Sequence, residues 1–174
     1  RMNSRLPKVF HRVCGKEMVR YPVELLRQLG IERVVVVASP SNLEALKQLL
    51  GDEVEYVVQP SVTGTGDAVA RTAELLGSSA DNLLVLGADS PLVRTDAVNE
   101  LMTSHIESSS HMTILVGHAE TSGDFGRVRR DTSGQITGII EAVDEPRTSD
   151  SPPTEKPVEV NAGVYCFTTS WLWE

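Results

Sequence analysis

The chain has 174 residues, 40% hydrophobic and 23% charged, which is enough to bury a normal core in one compact domain. Its formal net charge of −8 argues against a surface that coats nucleic acid or an anionic membrane. Cys14 and Cys166 lie far apart without metal-ligand spacing, which predicts reduced thiols of a cytoplasmic protein. No stretch has the length and apolarity of a membrane span, and no signal peptide is evident.

The chain opens with a basic segment of loop-like composition. Within residues 1–33 there are eight Lys/Arg against three Asp/Glu, and five of the cations precede the first acidic residue: Arg1, Arg5, Lys8, Arg12 and Lys16. A cationic patch on an acidic body is typical either of a solvated basic face or of a site for a small polyanion.

Three short aliphatic runs follow, at 33–39, 54–59 and 82–89. Their near-continuous apolarity predicts strands buried on both faces, as parallel sheets require. The runs alternate with helical patterns, the second of which covers 67–77 and ends at a capping Gly77. Strands alternating with helices of this length predict an α/β class, with a Rossmann-like, mostly parallel sheet flanked by helices.

The other helical patterns have their own sequence signals. The first follows a capping-type Ser41 and places Leu43, Leu46 and Leu50 on one face. The last covers 96–106 and is followed by an apolar run that predicts a strand over 112–118.

The pattern changes after about residue 120. Segments 126–131 and 135–143, separated by a Thr-Ser-Gly turn signal, predict an inserted β-hairpin. Residues 144–157 hold four of the nine prolines and predict a mobile surface loop, after which 158–167 returns to strand. Without repeats or a linker, we expect one domain over residues 1–174.

Polar residues follow two of the predicted strands, at the edge where open α/β sheets bind ligands. Gln59 closes the second strand, and the turn 63–66 exposes backbone N–H groups ahead of a helix, although such turns often have no ligand. Asp89 closes the third strand, with its chain direction set by Pro91. It suits a Mg²⁺ ligand, since that cation needs only one or two carboxylates beside phosphate oxygens; the alternative is a helix N-cap or turn aspartate.

Three later residues have ordinary alternatives. Gly126 suits a bend into a strand, Glu141 an exposed strand-end carboxylate and Asn161 a buried core amide. The four histidines show no ligand spacing, and no serine or cysteine lies in a nucleophile elbow.

Taken in order, segments along essentially the whole chain match one family. Arg1 and Met2 match the end of its Gly-rich signature, and the other matching segments are "LPKVFHRVCGKEMV", "VVQPSVTGTGDAV", "GADSPL", "FGRV", "GIIE" and "VNAGVYCF". The chain therefore resembles the sugar-nucleotidyltransferases and, within them, the N-acetylglucosamine-1-phosphate uridyltransferases.

The resemblance assigns a role to each matching residue. Arg1 and Lys8 would lie against the phosphates of the nucleotide and the sugar phosphate, and Asp89 would ligate Mg²⁺. Gln59 and the Gly64–Thr65 backbone would contact the uracil edge. The acetamido sugar would be held by Gly126, Glu141 and Asn161. The remaining early cations would be solvated surface.

The resemblance implies uridylyl transfer from UTP to N-acetylglucosamine-1-phosphate, giving UDP-N-acetylglucosamine and pyrophosphate. Alternatives are a related enzyme for another sugar phosphate or dTTP, and a non-catalytic regulatory module. The family's first strand and Gly-rich loop would precede Arg1, and a second metal ligand would follow Glu174. Without that Gly-rich loop we expect residues 1–174 alone to be feeble or inactive. In bifunctional members an acetyltransferase domain that can form homo-oligomers also follows. The chain departs from the family pattern at Asp67, Gly87 and Ala88.

Overall fold

The computed structural model describes residues 4–77, 80–121, 123–141, 144 and 157–174. The strands in that part are β1 (Arg12–Val13), β2 (Lys16–Glu17), β3 (Val35–Ala38), β4 (Glu55–Val58), β5 (Asn82–Leu86), β6 (Met112–Ala119), β7 (Arg127–Arg130), β8 (Ile136–Ile140) and β9 (Val158–Thr168). The helices are α1 (Arg20–Gln28), α2 (Leu43–Leu50), α3 (Thr65–Ala70), α4 (Ala73–Leu76), α5 (Thr95–Ser108) and α6 (Thr169–Leu172).

The α/β class is confirmed, with strands and helices alternating through β6. Strands β3 and β4 pair in parallel, as a βαβ crossover through α2 requires. The other described pairings are antiparallel, which differs from the mostly parallel sheet expected. Strand β9 accounts for three of these antiparallel pairings. Its second half pairs with β5, its Val160 pairs with Arg127 of β7, and β6 pairs along most of its length.

Two hydrophobic cores hold these elements together. The β3–β4 core comprises Val19, Val23, Val34, Val36, Ala38, Leu46, Leu50 and Val54. The β9 core comprises Leu25, Val98, Leu101, Val164 and Cys166. Helix α1 contributes Val23 to the first and Leu25 to the second, so it lies against both.

Helix α2 has the predicted apolar face but a different start. Leu46 and Leu50 are buried and Leu43 packs against the β3–β4 core. The predicted cap at Ser41 is wrong: Asn42 occupies the N-cap without a side-chain cap bond, while the Ser41 hydroxyl lies 3.0 Å from that of Ser39.

The helix predicted over 67–77 is broken in two, at Arg71–Thr72. The Thr72 hydroxyl donates to the Val69 carbonyl at 2.7 Å, and such local side-chain bonds compete with helix geometry. Gly77 follows α4 as predicted, and a Cβ there would lie 2.6 Å from the Ala73 carbonyl oxygen.

The opening segment is more ordered than its loop-like composition suggested. It forms a 3-10 turn at Lys8–Phe10 and the short hairpin β1–β2. The predicted hairpin after residue 120 is confirmed as β7–β8. Apart from residues 144 and 157, the predicted proline-rich loop lies outside the described residues. Among the described helices, none has the length and apolarity that crossing a bilayer needs.

Candidate active site

A cation and a carboxylate meet beyond the carboxyl end of β5. Lys8 Nζ donates to Asp89 Oδ2 at 2.7 Å, although 81 residues separate the two in the chain. Their side chains are 56% and 40% exposed, so both can still reach a ligand from solvent. The structure thus brings together the residue predicted to contact phosphate and the residue predicted to ligate a metal.

Packing of the neighbouring residues explains why Lys8 reaches this point. Val9 and Phe10 pack against the β3–β4 core, and so does Ala88, the residue before Asp89. The Val19 amide also donates to the Val9 carbonyl at 3.1 Å. The apolar part of the opening segment therefore anchors the 3-10 turn beside the end of β5.

The predicted base-reading residues form a second group, after β4. The Gln59 side chain is only 6% exposed, and its backbone N–H donates to the Ala38 carbonyl at the end of β3. Its amide nitrogen donates to the Gly64 carbonyl at 3.1 Å. Gly64 has φ of 115°, in the region that favours glycine, and Thr65 is exposed at the start of α3.

Asp67 completes this group. Its hydrogen bond with Gln59 was not predicted from the sequence. Gln59 Nε2 also donates to Asp67 Oδ2 at 2.8 Å, and the Arg71 guanidinium donates to Asp67 Oδ1 at 3.0 Å. The bond from Gln59, with lesser contributions from Thr63 and Arg71, lowers the pKa of the Asp67 carboxyl. The four-residue spacing of Asp67 and Arg71 on a helix was the available sequence signal.

The predicted sugar-binding residues form a third group at the base of the β7–β8 hairpin. The backbone N–H of Asn161 donates to the Gly126 carbonyl at 2.8 Å. A Cβ on Gly126 would lie 3.4 Å from both carboxylate oxygens of Glu141. Gly126 is buried and Glu141 is exposed, so the carboxylate is open to a ligand.

The Asn161 side chain also has partners within β9. Its Nδ2 donates to the Tyr165 hydroxyl at 2.6 Å and its Oδ1 accepts from the Gly163 N–H at 3.0 Å. These bonds lie beside the register shift between Ile114 and Val116 of β6. The side chain therefore stabilises the irregular part of the strand and has one further amide proton for another acceptor.

The remaining early cations have different environments. Arg12 is paired with Glu17, and Lys16 is paired with Glu24 and lies 4.2 Å from the centre of the Tyr21 ring. Arg5 is exposed, as expected for solvated surface. Arg1 lies outside the described residues.

The carboxylate of Asp89 is compatible with the predicted Mg²⁺. No group of three or more His, Cys, Asp or Glu in the described part of the chain could hold a metal ion. Mg²⁺ does not need such a group, because it is commonly bound by one or two carboxylates together with substrate phosphates and water. Asp89, a partly exposed oxygen donor beside a lysine, fits that mode.

Similarity to solved structures supports the α/β fold. The chain aligns with HddC from Yersinia pseudotuberculosis with a TM-score of 0.70 at 16% identity, covering 98% of this chain and 71% of that one. CMP:2-keto-3-deoxy-manno-octonic acid synthetase complexed with CTP gives a TM-score of 0.72 at 19% identity, with 97% and 70% covered. At these identities the likeness shows the fold.

Sequence comparison gives the family. Residues 3–173 match the model of the family described as nucleotidyl transferase, and the chain belongs to this family, as the sequence predicted.

Relatives named bifunctional protein GlmU align along nearly the whole chain. The one from Exiguobacterium sibiricum is 35% identical over 175 residues, covering 100% of this chain and 37% of the relative. That from Caldanaerobacter subterraneus is 37% identical over 166 residues, covering 95% and 35%. The chain spans little more than a third of the length of these relatives.

Proposed function

We propose that the protein transfers a uridylyl group from UTP to N-acetylglucosamine-1-phosphate in a Mg²⁺-dependent reaction that releases pyrophosphate. The observation that carries this proposal is the Lys8–Asp89 pair at the carboxyl end of β5. Membership of the nucleotidyl transferase family and the alignment with the GlmU relatives support it.

The reaction needs positioning and charge neutralisation more than covalent chemistry by the protein. A phosphate oxygen of the sugar phosphate attacks the α-phosphorus of UTP, a new P–O bond forms, and the bond to the β-phosphate breaks with pyrophosphate leaving. Lys8, a flexible ammonium with three donors, would neutralise negative charge on the phosphates, and Arg1 would assist as a second cation.

Asp89 would hold the Mg²⁺, which when bound neutralises charge on the phosphate oxygens. The protein's part is to keep that carboxylate at the strand end, where the Ser90 N–H donates to the Gly87 carbonyl at 3.3 Å across the turn.

Substrate selection would use the other two groups. Gln59 with the Gly64–Thr65 backbone would read the base, and Gly126, Glu141 and Asn161 would hold the acetamido sugar. Glu141 and the second Nδ2 proton of Asn161, for which the described residues provide no acceptor, are suited to hydroxyl and amide groups of a sugar. Another sugar phosphate or dTTP would use the same machinery with different contacts in these two groups.

The first experiment measures pyrophosphate release by the full-length protein with Mg²⁺, across four nucleoside triphosphates and a panel of sugar-1-phosphates. We expect release with UTP and N-acetylglucosamine-1-phosphate. Release with another pair would change the specificity and keep the reaction class. No release from a protein that still binds a nucleotide sugar would favour the regulatory module.

Replacing Asp89 by Asn tests the machinery. We expect Asp89→Asn to lower turnover by about a thousandfold, the loss typical of one charge-stabilising group, with little change in melting temperature because the side chain is 40% exposed. Asp81→Asn is the matched control, since Asp81 is exposed just before β5 at the other end of that strand. Retained turnover in Asp89→Asn would overturn the metal assignment.

A further inference from the structure

The orientation of the Gln59 side-chain amide is fixed by its surroundings. Its Nε2 lies 3.1 Å from the Gly64 carbonyl oxygen and 2.8 Å from Asp67 Oδ2. Both partners accept hydrogen bonds only, because one is a backbone carbonyl and the other an ionised carboxylate. The two Nε2 protons are therefore committed, and the amide cannot be reversed without placing oxygen against oxygen.

The carbonyl end of the same amide is left for a ligand. Among the described residues, none donates a hydrogen bond to Gln59 Oε1. A glutamine held this way presents an acceptor, and it complements a base edge that carries a ring N–H. Uracil has such an N–H at N3, whereas the N3 of cytosine is itself an acceptor.

Asp67 is held rigidly enough to impose this orientation. Its second oxygen accepts from the Arg71 guanidinium at 3.0 Å, and its backbone carbonyl accepts from the Arg71 N–H at 3.1 Å. The Asp67 side chain is 27% exposed, and the residue lies in the first turn of α3. Of the two acceptors for Gln59 Nε2, Asp67 is the side chain, and so the one that substitution can remove.

We propose that Asp67 is a specificity-determining positioning residue, which holds the Gln59 amide with its carbonyl toward the base and so selects uracil over cytosine. This inference rests on the proposed function, because it assigns the base contact to Gln59. It adds a residue that touches neither phosphate nor base, and that acts through the orientation of its neighbour.

The alternative is that Asp67 serves only to stabilise α3 through its ion pair with Arg71. The two roles predict different behaviour of substitutions at the two positions. Loss of Arg71 removes the ion pair and leaves the Gln59–Asp67 bond in place. Loss of the Asp67 carboxylate removes both the ion pair with Arg71 and the hydrogen bond from Gln59 to a carboxylate.

The test compares kcat/KM for UTP and for CTP in the full-length protein and three variants. In Asp67→Asn, the new amide can offer either an oxygen or a nitrogen to Gln59, so only the Gly64 carbonyl still opposes reversal of the Gln59 amide and the reversed form becomes more populated. We expect the UTP:CTP ratio to fall about tenfold, the effect of one misplaced hydrogen bond. Arg71→Met should keep most of the ratio, and Asp96→Asn, another arginine-paired aspartate, is the charge-matched control.

Each outcome decides between the possibilities. An unchanged ratio in a folded Asp67→Asn protein, or an equal fall in Arg71→Met, would overturn the positioning role and leave uridylyl transfer standing. A parent protein that prefers CTP would also overturn it. A parent protein that transfers no nucleotide would overturn the proposed function itself, together with the inference.

A measurement on the unaltered protein covers the case in which Asp67→Asn does not fold. Both Gln59 side-chain amide protons should exchange slowly with water in nuclear magnetic resonance spectra, and should remain protected when UTP binds. Fast exchange of one of them would contradict the fixed orientation.

Discussion

His105 is a buried ionisable residue whose ring has partners on both nitrogens. It is 1% exposed, with Nδ1 2.8 Å from the Thr113 hydroxyl and Nε2 3.3 Å from the Thr168 hydroxyl. Because Thr168 donates its own proton to the Ser110 carbonyl, it accepts from Nε2–H, and Nδ1 accepts from Thr113. The neutral ring is thereby fully satisfied, and protonation would leave Nδ1–H facing a hydroxyl that must turn around.

This arrangement predicts a loss of stability in mild acid. Burial lowers the pKa of His105, so below the ordinary value of 6.5 the unfolded chain takes up a proton that the folded chain does not. The free energy of unfolding should therefore fall as the pH drops from 6.5 to the folded-state pKa, with a slope of up to about 1.4 kcal/mol per pH unit.

Urea unfolding at several pH values between 7.5 and 5 measures this slope. His105→Gln should flatten the curve in that range, even if it lowers stability overall. The same substitution at His118, which is exposed, is the control and should leave the slope in place. A slope that survives in His105→Gln would place the titrating group elsewhere.

At the residue scale, the sequence predicted single positions better than their contacts. Lys8 and Asp89 are 81 positions apart, and only the resemblance to a family placed both at the phosphates. The Gln59–Asp67 bond was missed because a carboxylate after a Gly-rich turn also suits a helix first turn with no partner. Local spacing predicts helical neighbours such as Asp67 and Arg71, but it does not show which loop folds onto them.

At the scale of elements, the β7–β8 hairpin connects the sheet to the group proposed to bind the sugar. Its prediction succeeded because the signal is local: two short runs with a Thr-Ser-Gly turn between them. The break between α3 and α4 was not predicted, because an apolar pattern of helical period continues through it. The competing hydroxyl bond of Thr72 depends on side-chain geometry that the pattern does not contain.

Gly126 gives a prediction for this hairpin. A Cβ at that position would lie 2.8 Å from Ile139 Cγ2 and 3.4 Å from the Glu141 carboxylate oxygens, so one or both must move. Gly126→Ala should raise KM for the sugar phosphate about tenfold and leave KM for the nucleotide unchanged, since the residues displaced belong to the proposed sugar site and not to the proposed base site.

Steady-state kinetics with each substrate varied in turn measures both constants. Gly138→Ala is the control in the same hairpin, because a Cβ there meets nothing within 4 Å. Equal changes in both variants would show that the hairpin tolerates no methyl group at all. Unchanged sugar KM in Gly126→Ala would remove Gly126 from the sugar site.

At the scale of the whole molecule, α1 joins the two cores. Leu25 is 6% exposed and belongs to the β9 core, while Val23, two residues earlier, is 4% exposed and belongs to the β3–β4 core. The predicted pattern of strands and helices did not reveal this arrangement, because it depends on how the antiparallel β9 sheet and the parallel pair lie on either side of one helix.

Leu25→Ala should therefore weaken the whole fold rather than one part. We expect the free energy of unfolding to fall by about 2–5 kcal/mol, the range for a buried leucine, in one cooperative transition. Urea titration followed by fluorescence and by circular dichroism measures this. Leu92→Ala is the control, since Leu92 is 85% exposed. Two separate transitions would contradict the coupling of the two cores through α1.

The position of β9 also bears on how the protein is synthesised. Strand β9 lies at 158–168 and hydrogen-bonds to β5, β6 and β7, which precede it in the chain. While the ribosome is still making residues before 158, those three strands lack their shared neighbour, whereas β3, α2 and β4 are already complete. The emerging chain thus carries unpaired β5 and β6 edges until β9 has been synthesised, the interval in which a chaperone would be most useful to it.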